Sequence, residues 1–243
     1  LAKGETKISN AAREPEIEDL SNCLIKMGAK IEGHGTKTIL VQGVTNLKKA
    51  EHEIISDRIV AGTYIIAALM LNSALEINNF NTIYLKSLID ILKKMGAKLK
   101  VSKNSIKVIK GSKLKSGSLS TSPYPGFPTD LQAQLMSLMC ISDGKSKIKE
   151  TIFENRFMHV PELNRLGANI TVEKDTATII GNQTFKGAQV MASDLRASIS
   201  LVLAAMNANG QTTLNRVYHL DRGYENIEKT LGSLGVKIKR QKN

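Results

Sequence analysis

Two charged residues of this sequence lie where a loop leads into a predicted helix. Asp130 follows the run Pro-Gly-Phe-Pro at 125–128, whose prolines hold the loop at one angle. Arg222 directly follows Asp221, and its guanidinium can hold a carboxylate or a phosphate through two hydrogen bonds. Plainer roles stay open, since Asp130 could cap its helix and Arg222 could pair with Asp221 or Glu225.

Three more charged residues lie at similar corners. Arg156 falls between a predicted strand and the next predicted helix, and such a corner commonly faces a ligand. It could instead pair with Glu154 or Glu162. Asp194 and Arg196 open another predicted helix, where a cap with an exposed arginine is the alternative. Together these residues would suit acid–base chemistry on an anionic substrate.

The elements that must position these residues include three nearly all-apolar helices. They are predicted to begin near Asp57, Thr129 and Asp194, and an aspartate at the start of each (Asp57, Asp130, Asp194) is well placed to cap free N–H groups. A helix that is apolar on most sides implies burial on most sides. Each is followed by a short polar link and a predicted strand.

Four amphipathic helices form a second, repeated set. The pattern of Leu85, Leu88, Ile89 and Leu92 at i, i+3, i+4 and i+7 is typical of them. Each is predicted to end at a glycine, which can take the left-handed conformation, and a strand, a turn and another strand are predicted to follow. These glycines lie 68, 71 and 68 residues apart, at Gly28, Gly96, Gly167 and Gly235. A period held three times indicates a structural repeat.

The full repeat therefore reads helix, strand, helix, strand, strand. The segment Gly-Glu-Thr-Lys-Ile-Ser-Asn at 4–10 matches the strand after the apolar helix, so the chain starts in the middle of a unit. Three and a half units are present, and a half unit leaves an apolar face uncovered. We predict truncation, or a partner chain that carries the rest.

Composition limits the functional classes. Hydrophobic residues make up 42% of the 243 residues, no apolar run suggests a membrane span, and no signal peptide is visible. Two cysteines argue against a disulfide scaffold and fit a reducing cytosol. The net charge of +12 includes a basic tail of Lys237, Lys239, Arg240 and Lys242, but only 4% of residues are aromatic, which disfavours nucleic-acid binding.

Five motifs in order resemble the UDP-N-acetylglucosamine 1-carboxyvinyltransferase (enolpyruvyl transferase) family. They cover essentially the whole chain: NAAREPEIEDL from Asn10, PGFPTDLQAQ from Pro125, ENRFMHVPELNRLGANI from Glu154, DLRASISLVLAA from Asp194 and HLDRGYENIEKTLGSLG from His219. The resemblance implies an α/β fold of repeated βαβαββ-type units that form an inside-out α/β barrel. It also implies that residues 1–55 end one domain and that residues 56–243 form a second domain of three units.

The family's reaction moves the enolpyruvyl group of phosphoenolpyruvate to the 3-hydroxyl of UDP-N-acetylglucosamine and releases phosphate, the first committed step of peptidoglycan synthesis. The resemblance makes Asp130 the residue that contacts the reacting hydroxyl and the candidate base. It makes Arg222 a contact of phosphoenolpyruvate, and it makes Arg156 a source of further positive charge. Asp194 and Arg196 would line the cleft.

The resemblance has further implications for ligands and partners. Ile152 would touch the uridine part of the donor. No cofactor or metal, no nucleic acid and no membrane is expected, the location would be cytoplasmic, and an amino-terminal part with a lid cysteine would be missing. Cys23 and Cys140 are predicted to be packing residues, and His159 a structural one. The sequence departs from the family at Ser56, usually proline, and at Val60, usually acidic.

Two alternatives stay open. The sister family, which makes enolpyruvyl-shikimate phosphate, shares the repeat but lacks the ENRFMHVPEL motif. The second alternative is a different class of function, a basic and noncatalytic RNA-binding module built from small α/β units. It predicts that RNA binding weakens steeply as the salt concentration rises. No aromatic recognition motif or GXXG loop supports it.

Overall fold

The structure of the protein, a computed structural model, describes residues 1–241, so the last lysine of the basic tail, Lys242, lies outside the described residues. Its elements follow the predicted repeat. The first half unit and the second unit contain β1 (Glu5–Ser9), α1 (Pro15–Lys26), β2 (Lys30–Glu32), β3 (Thr38–Gln42), α2 (Arg58–Met70), β4 (Leu75–Asn78), α3 (Lys86–Lys94), β5 (Leu99–Val101) and β6 (Ser105–Val108). The third and fourth contain β7 (Ser118–Ser120), α4 (Gln132–Ile141), β8 (Lys145–Lys149), α5 (Val160–Arg165), β9 (Asn169–Glu173), β10 (Thr176–Ile180), β11 (Gln189–Met191), α6 (Leu195–Met206), β12 (Thr213–Asn215) and α7 (Ile227–Ser233).

Small sheets form the outside of the molecule. Antiparallel ladders join β1-β3-β2, β4-β6-β5 and β8-β10-β9. Two short strands that the residue pattern did not reveal, β7 and β11, pair in parallel with β8 and β12 across the buried helices α4 and α6. They supply the leading strand of a βαβαββ unit. Three-residue strands leave little alternation to read, which explains why the pattern missed them.

The helices α2, α4 and α6 form the inside of the molecule. In α4 every residue from Gln132 to Cys140 is buried, and α2 buries eleven of its thirteen residues. Gly62 of α2 makes close contact possible, because a Cβ there would meet Leu131 at 2.8 Å and Leu88 at 3.1 Å. Among the described residues no helix is both long and apolar enough to cross a membrane.

Glycines end the four amphipathic helices as predicted. All four of these glycines have φ between +94° and +101°, which other residues rarely adopt. Gly96 also needs the absence of a side chain, because a Cβ would lie 2.7 Å from the carbonyl oxygen of Lys113. The repeat read from the sequence is therefore confirmed at its helix ends.

One prediction for the outer units was wrong and one agrees with the structure. The strand predicted after Gly235 does not form within the described residues. In the other units the equivalent strand (β2, β5 or β9) pairs with the strand that follows it (β3, β6 or β10), and the described residues after Gly235 contain no such partner. The first half unit, in contrast, agrees with the prediction of an uncovered face, because Leu20 of α1 is 56% exposed and all five residues of β1 are exposed. The half unit thus shows uncovered apolar side chains.

Candidate active site

Asp130 lies between two guanidinium groups. One carboxylate oxygen is 3.0 Å from Nη2 of Arg156, and the other is 2.8 Å from Nη2 of Arg196. The prediction that Asp130 caps its helix was wrong. A 3₁₀ turn, Thr129–Leu131, precedes α4. Within it the Asp130 side chain accepts hydrogen bonds from the two arginines and does not cap the helix. The alternative pairing of Arg156 with Glu154 or Glu162 does not form among the described residues, since Arg156 binds Asp130 and Glu162 binds Arg165 and the Met191 amide.

Asp194 caps α6 as predicted. Its carboxylate accepts hydrogen bonds from the amides of Arg196 (2.8 Å) and Ala197 (3.0 Å) and from the Ser193 hydroxyl. Burial opposes ionisation, but hydrogen bonds from Ala197, Ser193 and Arg196 and the charge of Arg156 outweigh it and hold the pKa of Asp194 below its ordinary value. A fixed negative charge therefore orients the first turn of α6, which carries Arg196. Asp57 caps α2 in the same way.

The three buried helices run in the same direction. Asp130 and Arg196 join the starts of α4 and α6, while the Asn207 side chain joins the end of α6 to the Met70 carbonyl at the end of α2 (2.9 Å). The amino-terminal ends of the helices, each with unpaired N–H groups and a partial positive charge, therefore meet at one side of the molecule. Together with the arginines they favour an anionic ligand there.

A cavity of about 490 Å³ opens beside Asp130. Ile152, 37% exposed, and Phe153, 55% exposed, supply an apolar wall, and the Arg156 guanidinium lies 5.0 Å from the centre of the Phe153 ring. A cation above an aromatic face is attracted to it, so Phe153 helps to hold Arg156 near Asp130. The sequence predicted Ile152 at this site but not Phe153.

On its other side the cavity is lined by Glu14 of the first half unit and by Arg58 at the start of α2. Arg58 is 6% exposed and binds the Glu16 carboxylate through Nε (2.9 Å) and Nη2 (3.3 Å). Its guanidinium also lies 5.6 Å from the centre of the Tyr124 ring, and Arg13 donates to the Tyr124 carbonyl (3.0 Å). No local pattern signals these contacts, because the partners lie 42 to 111 residues apart.

Arg222 lies near the site but is not joined to it. It ends the 3₁₀ segment Val217–Arg222 and is exposed, and within residues 1–241 its side chain makes no hydrogen bond or ion pair. The suggested partner Asp221 instead binds Arg240 through two hydrogen bonds of 2.6 and 3.0 Å. Gly223 packs against Leu195 at the start of α6, where a Cβ would be 2.9 Å from that side chain. The backbone next to Arg222 therefore lies beside the turn that carries Arg196.

A buried polar network links Tyr224, two residues after Arg222, to the backbone of Asp130. The Tyr224 hydroxyl is 2.8 Å from Oγ1 of Thr63. The Gln134 side-chain amide donates to that oxygen (3.3 Å) and to the Asp130 carbonyl (2.9 Å). All three side chains are at most 3% exposed. Hydrogen bonds in such surroundings fix one arrangement of the helices.

The two cysteines differ in environment. Cys140 is fully buried in α4, and burial raises the pKa of its thiol to about 12. Cys23, predicted to be a packing residue, is only partly buried in α1. Neither lines the cavity beside Asp130.

We expect a thiol reagent at pH 8 to modify Cys23 in the folded chain and to leave Cys140 unmodified. With a pKa of about 12, roughly one Cys140 thiol in 10,000 is ionised at that pH, and only the thiolate reacts. Mass spectrometry after alkylation measures the sites. Labelling in denaturant, where both cysteines should react, is the control. Rapid modification of Cys140 in the folded chain would contradict the expectation.

Comparisons with known proteins bear on this arrangement. The sequence profile of EPSP synthase (3-phosphoshikimate 1-carboxyvinyltransferase) matches residues 1–231. The chain is 52% identical to "UDP-N-acetylglucosamine 1-carboxyvinyltransferase" of Pelagibacter ubique (strain HTCC1062), over 99% of this chain and 58% of that protein. It is 54% identical to the protein of the same name from Azorhizobium caulinodans, over 99% of this chain and 56% of that protein. The chain thus spans little more than half the length of these relatives.

Solved structures agree with the fold. The enolpyruvyl transferase NikO from Streptomyces tendae superposes with a TM-score of 0.89 at 28% identity, over 98% of this chain and 57% of that one. EPSP synthase from Acinetobacter baumannii superposes with a TM-score of 0.76 at 18% identity, over 99% of this chain and 59% of that one. The fold class and the resemblance to enolpyruvyl transferases predicted from the sequence are confirmed, and the chain belongs to the EPSP synthase (3-phosphoshikimate 1-carboxyvinyltransferase) family.

Proposed function

We propose that this chain carries part of the active site of a UDP-N-acetylglucosamine 1-carboxyvinyltransferase. The complete enzyme would move the enolpyruvyl group of phosphoenolpyruvate to the sugar 3-hydroxyl and release phosphate. The observation that carries the proposal is the Asp130 carboxylate held between Arg156 and Arg196 where three helix starts meet. The identity to relatives of that name supports the choice of substrates.

The charges of the site suit these substrates. Phosphoenolpyruvate carries a phosphate and a carboxylate, and the sugar nucleotide carries a diphosphate. Arg156 and Arg196 lie on either side of Asp130, and the exposed Arg222 lies on the neighbouring loop. Guanidinium groups and helix starts both stabilise bound phosphate and carboxylate. Ile152 and Phe153 would give the nucleotide an apolar contact at the cavity wall.

Asp130 is proposed as the general base. In the reaction the sugar hydroxyl loses a proton as its oxygen bonds to C2 of phosphoenolpyruvate, and the methylene carbon gains a proton. The methyl group so formed then loses a proton as phosphate leaves, which restores the double bond of the enolpyruvyl product. Each oxygen of the Asp130 carboxylate binds a guanidinium group, one of Arg156 and one of Arg196. An incoming phosphate or carboxylate competes for these arginines. Binding of phosphoenolpyruvate would therefore release Asp130 toward the hydroxyl, which couples proton removal to the presence of the second substrate.

The remaining predictions belong to the same proposal. Residues 1–55 would end one domain and residues 56–243 would form the second, with the cavity between Glu14, Arg58 and Asp130 as part of the cleft. A preceding part of the same enzyme would supply the lid cysteine and further arginines. The complete enzyme would act in cytoplasmic peptidoglycan synthesis, and so in cell-wall growth and cell division. No cofactor, nucleic acid or membrane enters the proposed reaction.

A chimera tests the proposal. We would join this chain to the part of the Pelagibacter ubique relative that it does not cover, and measure phosphate release from phosphoenolpyruvate. Release that depends on UDP-N-acetylglucosamine supports the proposal. Release that depends on shikimate 3-phosphate instead would favour the sister activity, which the matching family profile keeps as the second candidate. No release with either acceptor counts against both.

A further inference from the structure

We propose that Glu150 is a positioning residue that fixes the Asp130 turn relative to the corner that carries Ile152 and Arg156. The inference rests on the proposed function, since it concerns the same site. Glu150 itself does not line the cavity. It is 4% exposed and follows the last residue of β8, so it acts from behind the site.

The Glu150 carboxylate joins three separate segments. It accepts hydrogen bonds from the hydroxyl of Thr121, which follows β7 (2.8 Å), and from the hydroxyl of Thr129, in the turn with Asp130 (2.9 Å). It also accepts from the amides of Ile152 (2.9 Å) and Phe153 (3.3 Å) at the start of the corner. One side chain thus sets the spacing between the residue before Asp130 and the segment that leads to Arg156.

The surroundings of Glu150 make this link stiff. Within the described residues its carboxylate forms no ion pair, so its charge is balanced only by these four donors. Hydrogen bonds to a charged acceptor are shorter and stronger than neutral ones, and a buried charge that loses a donor is penalised heavily. The Thr121 hydroxyl also accepts from the Thr151 amide (2.8 Å), which adds a second tie between the same segments.

Comparison of the repeats within this chain singles out Glu150. The equivalent position lies six residues after the start of each link to a strand, at Asn10, Asn79, Glu150 and Arg216. In the other three units this residue has a left-handed backbone, with φ of 54°, 63° and 58°. Glu150 has no positive φ and instead turns its side chain inward. Only the unit that carries Asp130 and Arg156 therefore replaces a backbone turn by a buried carboxylate.

The test uses the chimera described above with variants at both ends of the link. Thr129→Val removes the hydroxyl but keeps the shape of the side chain, and we expect kcat to fall roughly tenfold because the Asp130 turn shifts. KM for the sugar nucleotide should change less than about twofold, because the contacts that bind the ground state and the transition state equally are retained. Thr129→Ser restores the hydroxyl and should restore kcat. Glu150→Ala should lower kcat by roughly a hundredfold, and Glu150→Gln should recover most of it.

Thr82→Val is the matched control. Thr82 is also a buried threonine whose hydroxyl donates to backbone carbonyls, of Ser102 and Lys103, but it lies in the second unit. It should lower stability as much as Thr129→Val does and leave kcat unchanged. Equal kcat in the valine and serine variants of Thr129, in a chimera that is active, would overturn the inference.

A second measurement needs no turnover. Hydrogen exchange of the Leu131 and Gln132 amides, in the turn with Asp130, should be faster in Thr129→Val than in Thr129→Ser. An inactive wild-type chimera would count against the proposed function alone, and the exchange rates would then decide the positioning role. Identical exchange in the two variants would overturn it.

Discussion

Replacement of Asp130 by asparagine is expected to lower kcat of the active chimera about a thousandfold, the usual range for loss of a general base. The amide keeps the size of the side chain and can still accept one hydrogen bond from Arg156 or Arg196. It cannot take the proton of the sugar hydroxyl. Because Asp130 is 38% exposed, the lost ion pairs should change the free energy of unfolding by less than about 1 kcal/mol.

The matched control for this change is Asp90→Asn. Asp90 forms an exposed ion pair with Lys86 on the outer helix α3, so the same chemical change occurs away from the cavity. Steady-state phosphate release should be unaffected there. A kcat for Asp130→Asn within tenfold of wild type would remove Asp130 from the role of base and leave it as an electrostatic partner of the arginines.

Acidification from pH 6.5 to pH 4 is expected to lower the free energy of unfolding by about 3 kcal/mol through His159 alone. His159 is 2% exposed, and burial lowers the pKa of its imidazole to about 4, with opposing smaller effects of Asp194 and Arg156. In the unfolded chain the imidazole takes up a proton near its ordinary pKa of 6.5. Between these values the unfolded state binds more protons, so stability falls as the pH falls.

Urea unfolding at intervals from pH 7 to pH 4 measures this dependence. Asp194 titrates below its ordinary pKa in the folded state, so its contribution is lost only as the pH falls further, and the two effects separate. His159→Gln should flatten the slope above pH 4 even if it lowers stability throughout. His219→Gln, at a partly exposed histidine, should keep the slope. An unchanged slope in His159→Gln would contradict the assignment.

The sequence predicted the repeated framework because the signals are local. A helix period, a glycine that must take positive φ and an aspartate that caps a helix each depend on a few neighbouring residues, and the structure confirms them at Gly96, Gly167, Asp57 and Asp194. Asp130 is the instructive exception. It matched the capping pattern, yet a 3₁₀ turn frees its side chain for the arginines. The local rule failed at the residue proposed for catalysis.

The rest of the site could not be read from the sequence, because it depends on contacts between distant segments. Thr63 and Tyr224 are 161 residues apart, and Glu16 and Arg58 are 42 apart. Thr129 and Glu150 each look like ordinary polar residues beside a strand or a turn. Only the tertiary packing of these distant segments brings such residues within hydrogen-bond distance. The resemblance to a family suggested the proposed roles of Asp130 and Arg222, which spacing alone left open.

Because the sheets lie outside the helices, each strand has one set of side chains that faces water and another that faces the helices. In β8 the three lysines, Lys145, Lys147 and Lys149, face water, while Ser146 and Ile148 face the helices. The charge at the exposed positions can change with little effect on packing, and lysines there add no charge to the cleft. The positive charge of β8 therefore lies on the outer face, whereas Arg156 and Arg196 lie at Asp130, where the buried helices begin.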